Sequence, residues 1–170
     1  MASFIQRNRT FLAYSGFWSM IILLFFLNYY QKTMFMRPGG PHQWRQTDCL
    51  SFTKNYYEEG MHFLEPKVHY QGVKEGKAVG EFPVFYFTIA VLWKIFGEHE
   101  FIFRLTEYIL FIFSVFIFFK TLLKFFHSVW LSLFSIMFLL TSPLMVYYGM
   151  NFLPDVPSFS LCLISFCLFY

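Results

Sequence analysis

The densest group of side chains able to do chemistry is His42-Gln43-Trp44-Arg45-Gln46-Thr47-Asp48. An acid at the start of a surface helix can be a base, a metal ligand or merely a helix cap, because carboxylates favour helix N-termini. The company of Asp48 favours a functional role: an arginine three residues earlier, an indole beside that, and a place at the bilayer edge, where ionisation is easily shifted. Asp155 lies in Leu153-Pro154-Asp155-Val156-Pro157 between two apolar segments, where an ionisable group is costly unless it serves a site or stays hydrated. It also reads as a helix N-cap with Pro157 in the first turn, and the two roles are compatible. Arg104 and Glu107 stand three apart, the spacing of a structural ion pair on one helical face, with Arg104 also placed to meet an anionic headgroup. Glu81, just before Phe82-Pro83, stands at the mouth of a short apolar segment. With His42, His62 and His69 it makes no recognisable metal-ligand spacing, so no metal centre is expected. The chain has no Gly-rich phosphate loop, GxSxG elbow or HExxH helix, which removes soluble nucleotide chemistry and the common hydrolase templates.

The elements that must position these residues belong to a membrane. Only 14% of residues are charged and 57% are hydrophobic, against about 25% charged in a soluble domain. The basic excess, 13 Lys and Arg over 10 Asp and Glu, is small enough to be the flanking charge of membrane spans, and nucleic acid is not an expected partner. Cys49, Cys162 and Cys167 form no CxxC pair and suggest neither a metal site nor a disulfide framework. Arg7 and Arg9 precede a mostly apolar run over 11–30 that offers no small-x-small cleavage site. This reads as a retained signal anchor with a cytoplasmic N-terminus, in a multi-pass protein of the plasma (inner) membrane.

The outer loop is read as 31–100. Its polar part, 31–82, holds a short surface helix over Thr47 to Gly60, closed by the glycine. The apolar segment 82–96 would reach only about 22 Å as a helix, short of the roughly 30 Å hydrocarbon core, so a re-entrant or interfacial helix is predicted there. Spans are predicted at 101–119, 128–148 and 156–170, with a short basic loop over 120–127. If 82–96 does not cross, Lys120 and Lys124 fall on the cytoplasmic side with the N-terminal arginines, and Asp155 emerges on the same outer face as Asp48. The expected fold is thus an all-α polytopic membrane protein with a large first outer loop. The end at Cys167-Leu168-Phe169-Tyr170, without a polar flank, suggests a fragment of a longer protein.

The order Trp44-Arg45-Gln46-Thr47-Asp48, Gly80-Glu81-Phe82-Pro83, Phe96-Gly97, Phe103-Arg104-Leu105, Ser142-Pro143, Pro154-Asp155 resembles the N-terminal third of a GT-C class glycosyltransferase of the family 39, protein-mannosyltransferase-like group. The resemblance runs over the whole chain and rests on the order of short motifs. It implies the N-terminal part of a GT-C type helical bundle that moves a sugar from a polyprenyl-phosphate carrier to an acceptor at the outer or lumenal face. Carried over by position, Asp48 is the catalytic acid of the first outer loop, Asp155 the acid of the second, and Arg104 the arginine after the Phe-Gly turn. The implied step is a single displacement in which Asp48 takes a proton from, or orients, an acceptor hydroxyl or amine while Arg45 or Arg104 steadies the leaving phosphate. Trp44, His42 and Glu81 complete the expected substrate contacts. The partners are then the lipid-linked donor, the bilayer and an acceptor of unspecified kind. No cofactor is expected, with a divalent cation gathered by near-neighbour carboxylates left as the open alternative. Many relatives carry an Asp-Glu pair in the first loop where this chain has Asp48-Cys49, which puts any role needing two adjacent acids in doubt. With later spans and a C-terminal domain missing, the 170 residues alone are expected to be inactive. The competing reading is a non-enzymatic membrane protein, a transporter part or assembly subunit, in which Asp48 and Asp155 only cap helices.

Overall fold

The computed structural model describes residues 2–69, 76–77 and 81–170, with the backbone alone for residues 2–9. Gly80 of the Gly80-Glu81-Phe82-Pro83 motif therefore lies outside the described residues, as do the side chains of Arg7 and Arg9. Among the described residues the chain is all-α: α1 (Ala2–Leu27), α2 (Tyr30–Thr33), α3 (Gln43–Glu59), α4 (Val84–Phe96), α5 (Glu100–Phe126), α6 (Val129–Leu140), α7 (Pro143–Tyr148) and α8 (Asp155–Phe169). The one extended pairing among them is a single antiparallel bridge between Lys67 and Lys77.

Among the described residues two helices are long and apolar enough to cross a membrane, α1 over Thr10–Leu27 and α5 over Glu100–Phe126. At its 27 residues, α5 extends about 40 Å, more than the hydrocarbon core requires. Ala13, Phe17 and Ile21 of α1 are buried together with Phe111, Val115 and Phe119 of α5 and Ile136 and Leu140 of α6. The Phe17 and Phe119 rings stack with centroids 4.9 Å apart. Gly16 lets α6 come close, since a Cβ there would stand 3.1 Å from Leu133 Cδ1; small residues serve helix approach in this way when lipid supplies no hydrophobic drive. The opposite faces expose Phe11, Ile22, Leu23, Trp130, Phe134 and Phe138, the surface of a bundle bathed in lipid. The fold is therefore an all-α membrane bundle.

A second core lies between α3 and α4, with Tyr86, Ile89, Ala90 and Trp93 of α4 buried together with Cys49 and Tyr56 of α3 and Phe103 and Phe152. At 13 residues, α4 reaches only about 20 Å.

Several sequence expectations are corrected. The first-loop helix begins at Gln43 rather than at Thr47, so Asp48 sits inside it and caps nothing. The basic segment 120–127 is no loop: α5 continues to Phe126 and stops at His127, with φ 52, because Lys120 to Phe126 contains no breaker. The segment 128–148 is split into α6 and α7 by Thr141 and Ser142. Pro143 has no N–H to give and forces Ser142 into extended backbone, φ −56 and ψ 127. Arg104 forms no ion pair with Glu107 among the described residues. Its guanidinium donates instead to the carbonyls of Thr33, of Met36 at 2.6 Å and of Arg37 at 3.4 Å. These carbonyls lie at and just after the C-terminus of α2, where unpaired acceptors and the negative end of the helix dipole attract a cation. The same guanidinium lies 4.1 Å over the Phe152 ring, tying the start of the first loop to the segment before α8.

Candidate functional site

The positively charged centre of the site is Arg45, in the first turn of α3. That helix begins where the Gly39-Gly40-Pro41 turn delivers His42 in a left-handed conformation, φ 60. The turn is locked from two sides: the buried Gln46 amide donates to the carbonyls of Gly39 at 2.9 Å and Pro41 at 3.2 Å, and the Tyr147 hydroxyl donates to Pro41 as well. From this fixed start Arg45 reaches two other elements. Its Nη2 lies 2.6 Å from Glu81 Oε1, just before α4, and its Nη1 lies 3.2 Å from Asp155 Oδ2, in the first turn of α8. The Glu81 hydrogen bond holds the guanidinium above its ordinary value, against the smaller opposing effect of burial. Two carboxylates share one cation, so the cluster keeps a net negative charge.

The cluster forms the mouth of a groove of about 840 Å³ whose walls are apolar: Val84 and Phe85 of α4, Ile109, Leu110 and Phe113 of α5, and Pro157 and Leu161 of α8. Thr88, Thr106 and Ser158 supply the few polar atoms on those walls. A charged mouth on an apolar groove beside the long apolar α5 suits a ligand with a long hydrocarbon part and an ionic head.

The structure brings together Arg45, Glu81 and Asp155, three of the residues singled out from sequence. Asp48 lies one helical turn beyond Arg45 on the same face of α3, exposed and outside the residues that line the groove. Trp44 is exposed next to Arg45, and His42 sits at the helix start with its ring 6.3 Å from that of Tyr148. Arg104 is buried and occupied by backbone carbonyls, away from the groove lining. Two participants were missed. The Tyr86 hydroxyl donates to Glu81 Oε2 at 2.6 Å, and Cys49 Sγ lies 3.1 Å from that hydroxyl. A tyrosine five residues after Glu81 in an otherwise apolar stretch was the available signal, masked because aromatic residues are common throughout the spans.

A family model described as dolichyl-phosphate-mannose-protein mannosyltransferase matches residues 80–170. Glu81, Arg104 and Asp155 fall inside the matched stretch, and Arg45 and Asp48 precede it. No curated protein and no solved structure matches the chain.

Proposed function

Because the chain belongs to the dolichyl-phosphate-mannose-protein mannosyltransferase family, we propose that it serves sugar transfer from a polyprenyl-phosphate carrier to an acceptor hydroxyl or amine at the outer or lumenal face of the membrane. The observation that carries this reading is the groove with Arg45, Glu81 and Asp155 at its mouth. The carrier's hydrocarbon chain lies along Ile109, Phe113 and Leu161 while its phosphate sits at the mouth. Because the mouth as a whole is net negative, an anion gains there by taking a carboxylate's place on one cation, Arg45. It is held more tightly by Glu81 than by Asp155, at 2.6 against 3.2 Å, so the incoming phosphate takes Arg45 from Asp155. The freed Asp155 then faces the sugar.

Asp48, exposed one turn from Arg45, receives the acceptor from the aqueous side. Its carboxylate takes the acceptor proton as the acceptor attacks the sugar's anomeric carbon. The bond from that carbon to the phosphate oxygen breaks, and the electron pair leaves with the phosphate beside Arg45. The orientation belongs to the same reading: Lys120 and Lys124, at the far end of α5 from the site, face the cytoplasm with the N-terminus, in a multi-pass protein of the plasma membrane.

The test is retention of a polyprenyl phosphate by the purified chain in nanodiscs, compared with Arg45→Gln. Loss of a charge-assisted contact should weaken retention by at least about tenfold. Equal retention by both forms, or none by the unaltered chain, would contradict the reading.

A further inference from the structure

Glu81 uses both of its carboxylate oxygens. Oε1 takes Arg45 Nη2 at 2.6 Å and Oε2 takes the Tyr86 hydroxyl at 2.6 Å. A phenol has one proton, so when it is given to Glu81 the Tyr86 oxygen is left as an acceptor. The group facing that oxygen is the Cys49 thiol, 3.1 Å away, and the S–H must therefore donate. Burial pushes this thiol up to about 12, which keeps its proton in place. Cys49 lies on α3 one turn after Arg45, so the contacts close on themselves: Arg45 to Glu81, Glu81 to Tyr86, Tyr86 to Cys49, and back along one turn of helix.

We propose that Tyr86 is a positioning residue, which with Cys49 fixes the Glu81 carboxylate so that Arg45 is presented at the mouth of the groove. The ring has no other free variable. Tyr86 is 1% exposed, its ring stacked on Phe52 at 5.4 Å and tilted against Phe103 at 6.3 Å, so the hydroxyl cannot swing away. Glu81, with both oxygens engaged, is an anchor and not a base. When a phosphate takes Arg45 from Asp155, the ring still holds the guanidinium from its other side. Cys49 also acquires a role here: a small weak donor suits the dry contact with Tyr86, where a charged side chain would be left without a counterion.

The proposal rests on the functional reading for its purpose but not for its test. Phenylglyoxal modification of Arg45, followed by mass spectrometry of the chain in nanodiscs, reports how firmly the guanidinium is held without any need for carrier or turnover. Four forms are compared: the unaltered chain, Tyr86→Phe, Glu81→Ala and the double variant. Tyr86→Phe keeps the packed ring and removes only the hydroxyl. It should speed modification about fivefold, the equivalent of one ordinary hydrogen bond. Glu81→Ala should speed it at least as much, and adding Tyr86→Phe to Glu81→Ala should change nothing further, because Tyr86 acts through Glu81. A merely structural role for Tyr86 would give the same acceleration in both backgrounds. That result, or an unaltered rate in Tyr86→Phe, would overturn the proposal. Cys49→Ala provides a second test if Tyr86→Phe fails to fold: it should fall between the unaltered chain and the fivefold change, and a rate equal to that of the unaltered chain would count against the ring. If the chain retains no polyprenyl phosphate but the labelling cycle behaves as described, the functional reading fails and the positioning ring stands.

Discussion

The packed centre of α1, α5 and α6 and the layer formed by α3 and α4 solve different problems with similar residues. In the first, the buried serines look after themselves within one helix. The Ser114 hydroxyl donates to Phe111 O at 2.7 Å and the Ser132 hydroxyl to Ser128 O at 2.8 Å. In the second, polar groups of α3 reach out to shape the loops. Gln46 holds the turn before the helix, Asn55 Nδ2 donates to Lys67 O at 2.7 Å, and the Tyr56 hydroxyl donates to Phe63 O at 2.8 Å. The contrast follows from the solvent. A helix in hydrocarbon must satisfy its polar groups locally, whereas an element at the water boundary can use them to fix irregular backbone and to gather charge. The charged mouth takes Arg45 and Glu81 from the second region and Asp155 from the start of α8, and the apolar groove runs from α4 onto α5 and α8.

The largest expected effect isolates the chemistry from both regions. Asp48→Asn keeps size and exposure and removes the carboxylate proposed as base. Sugar transfer by the active protein should fall about 10²–10⁴-fold with membrane insertion unchanged, whereas retained turnover would return Asp48 to a surface role. Next comes packing. Trp93→Ala in the α3–α4 layer should cost about 3–5 kcal/mol, because an aqueous boundary charges the full transfer cost as well as the cavity. Phe17→Ala in the α1–α5–α6 centre should cost only about 1–2 kcal/mol, since lipid replaces part of the lost contact and only packing is forfeited. Thermal unfolding of both variants in one detergent checks the order, and a larger loss for Phe17→Ala would erase the distinction between the regions. The smallest effect concerns pH. The Cys49 thiol, raised by burial from an ordinary 9.0 to about 12, binds its proton more tightly in the folded state. Its contribution to stability is full below pH 9 and is lost as pH rises towards 12. Alkaline unfolding should therefore be less steep in Cys49→Ala across that window, and identical slopes would show that the thiol is not held dry.

Much of this layout was legible in the sequence because lipid imposes simple demands. Apolar length located α1 and α5, and the 82–96 segment coincides with α4, a helix too short to cross a bilayer unaided. Irregular chemistry was harder to read. The start of α3 carries no Ser, Thr or Asp at its cap and is set by Gln46 and Tyr147 closing on Gly39 and Pro41, contacts that join distant parts of the chain. The apolar composition on both sides of Ser142-Pro143 reads as one span, although the proline marks the break between α6 and α7. Arg104 offered a ready partner three residues away in Glu107, but the carbonyls after α2 are brought to it by the fold and take the guanidinium instead. The meeting of Arg45, Glu81 and Asp155 required three separate helix starts to converge, which no local spacing encodes.

The central claim, that the groove below Arg45 receives the hydrocarbon chain of a phosphate-headed lipid, can be tested by photocrosslinking. A polyprenyl phosphate with a photoactivatable group in its isoprenoid chain would be irradiated with the chain in nanodiscs, and the adducts mapped by mass spectrometry. The account predicts crosslinks concentrated on Ile109, Phe113 and Leu161, competed by unlabelled polyprenyl phosphate and reduced by Arg45→Gln. Crosslinks spread equally over the exposed α6 face, on Trp130, Phe134 and Phe138, without competition and indifferent to Arg45, would contradict it.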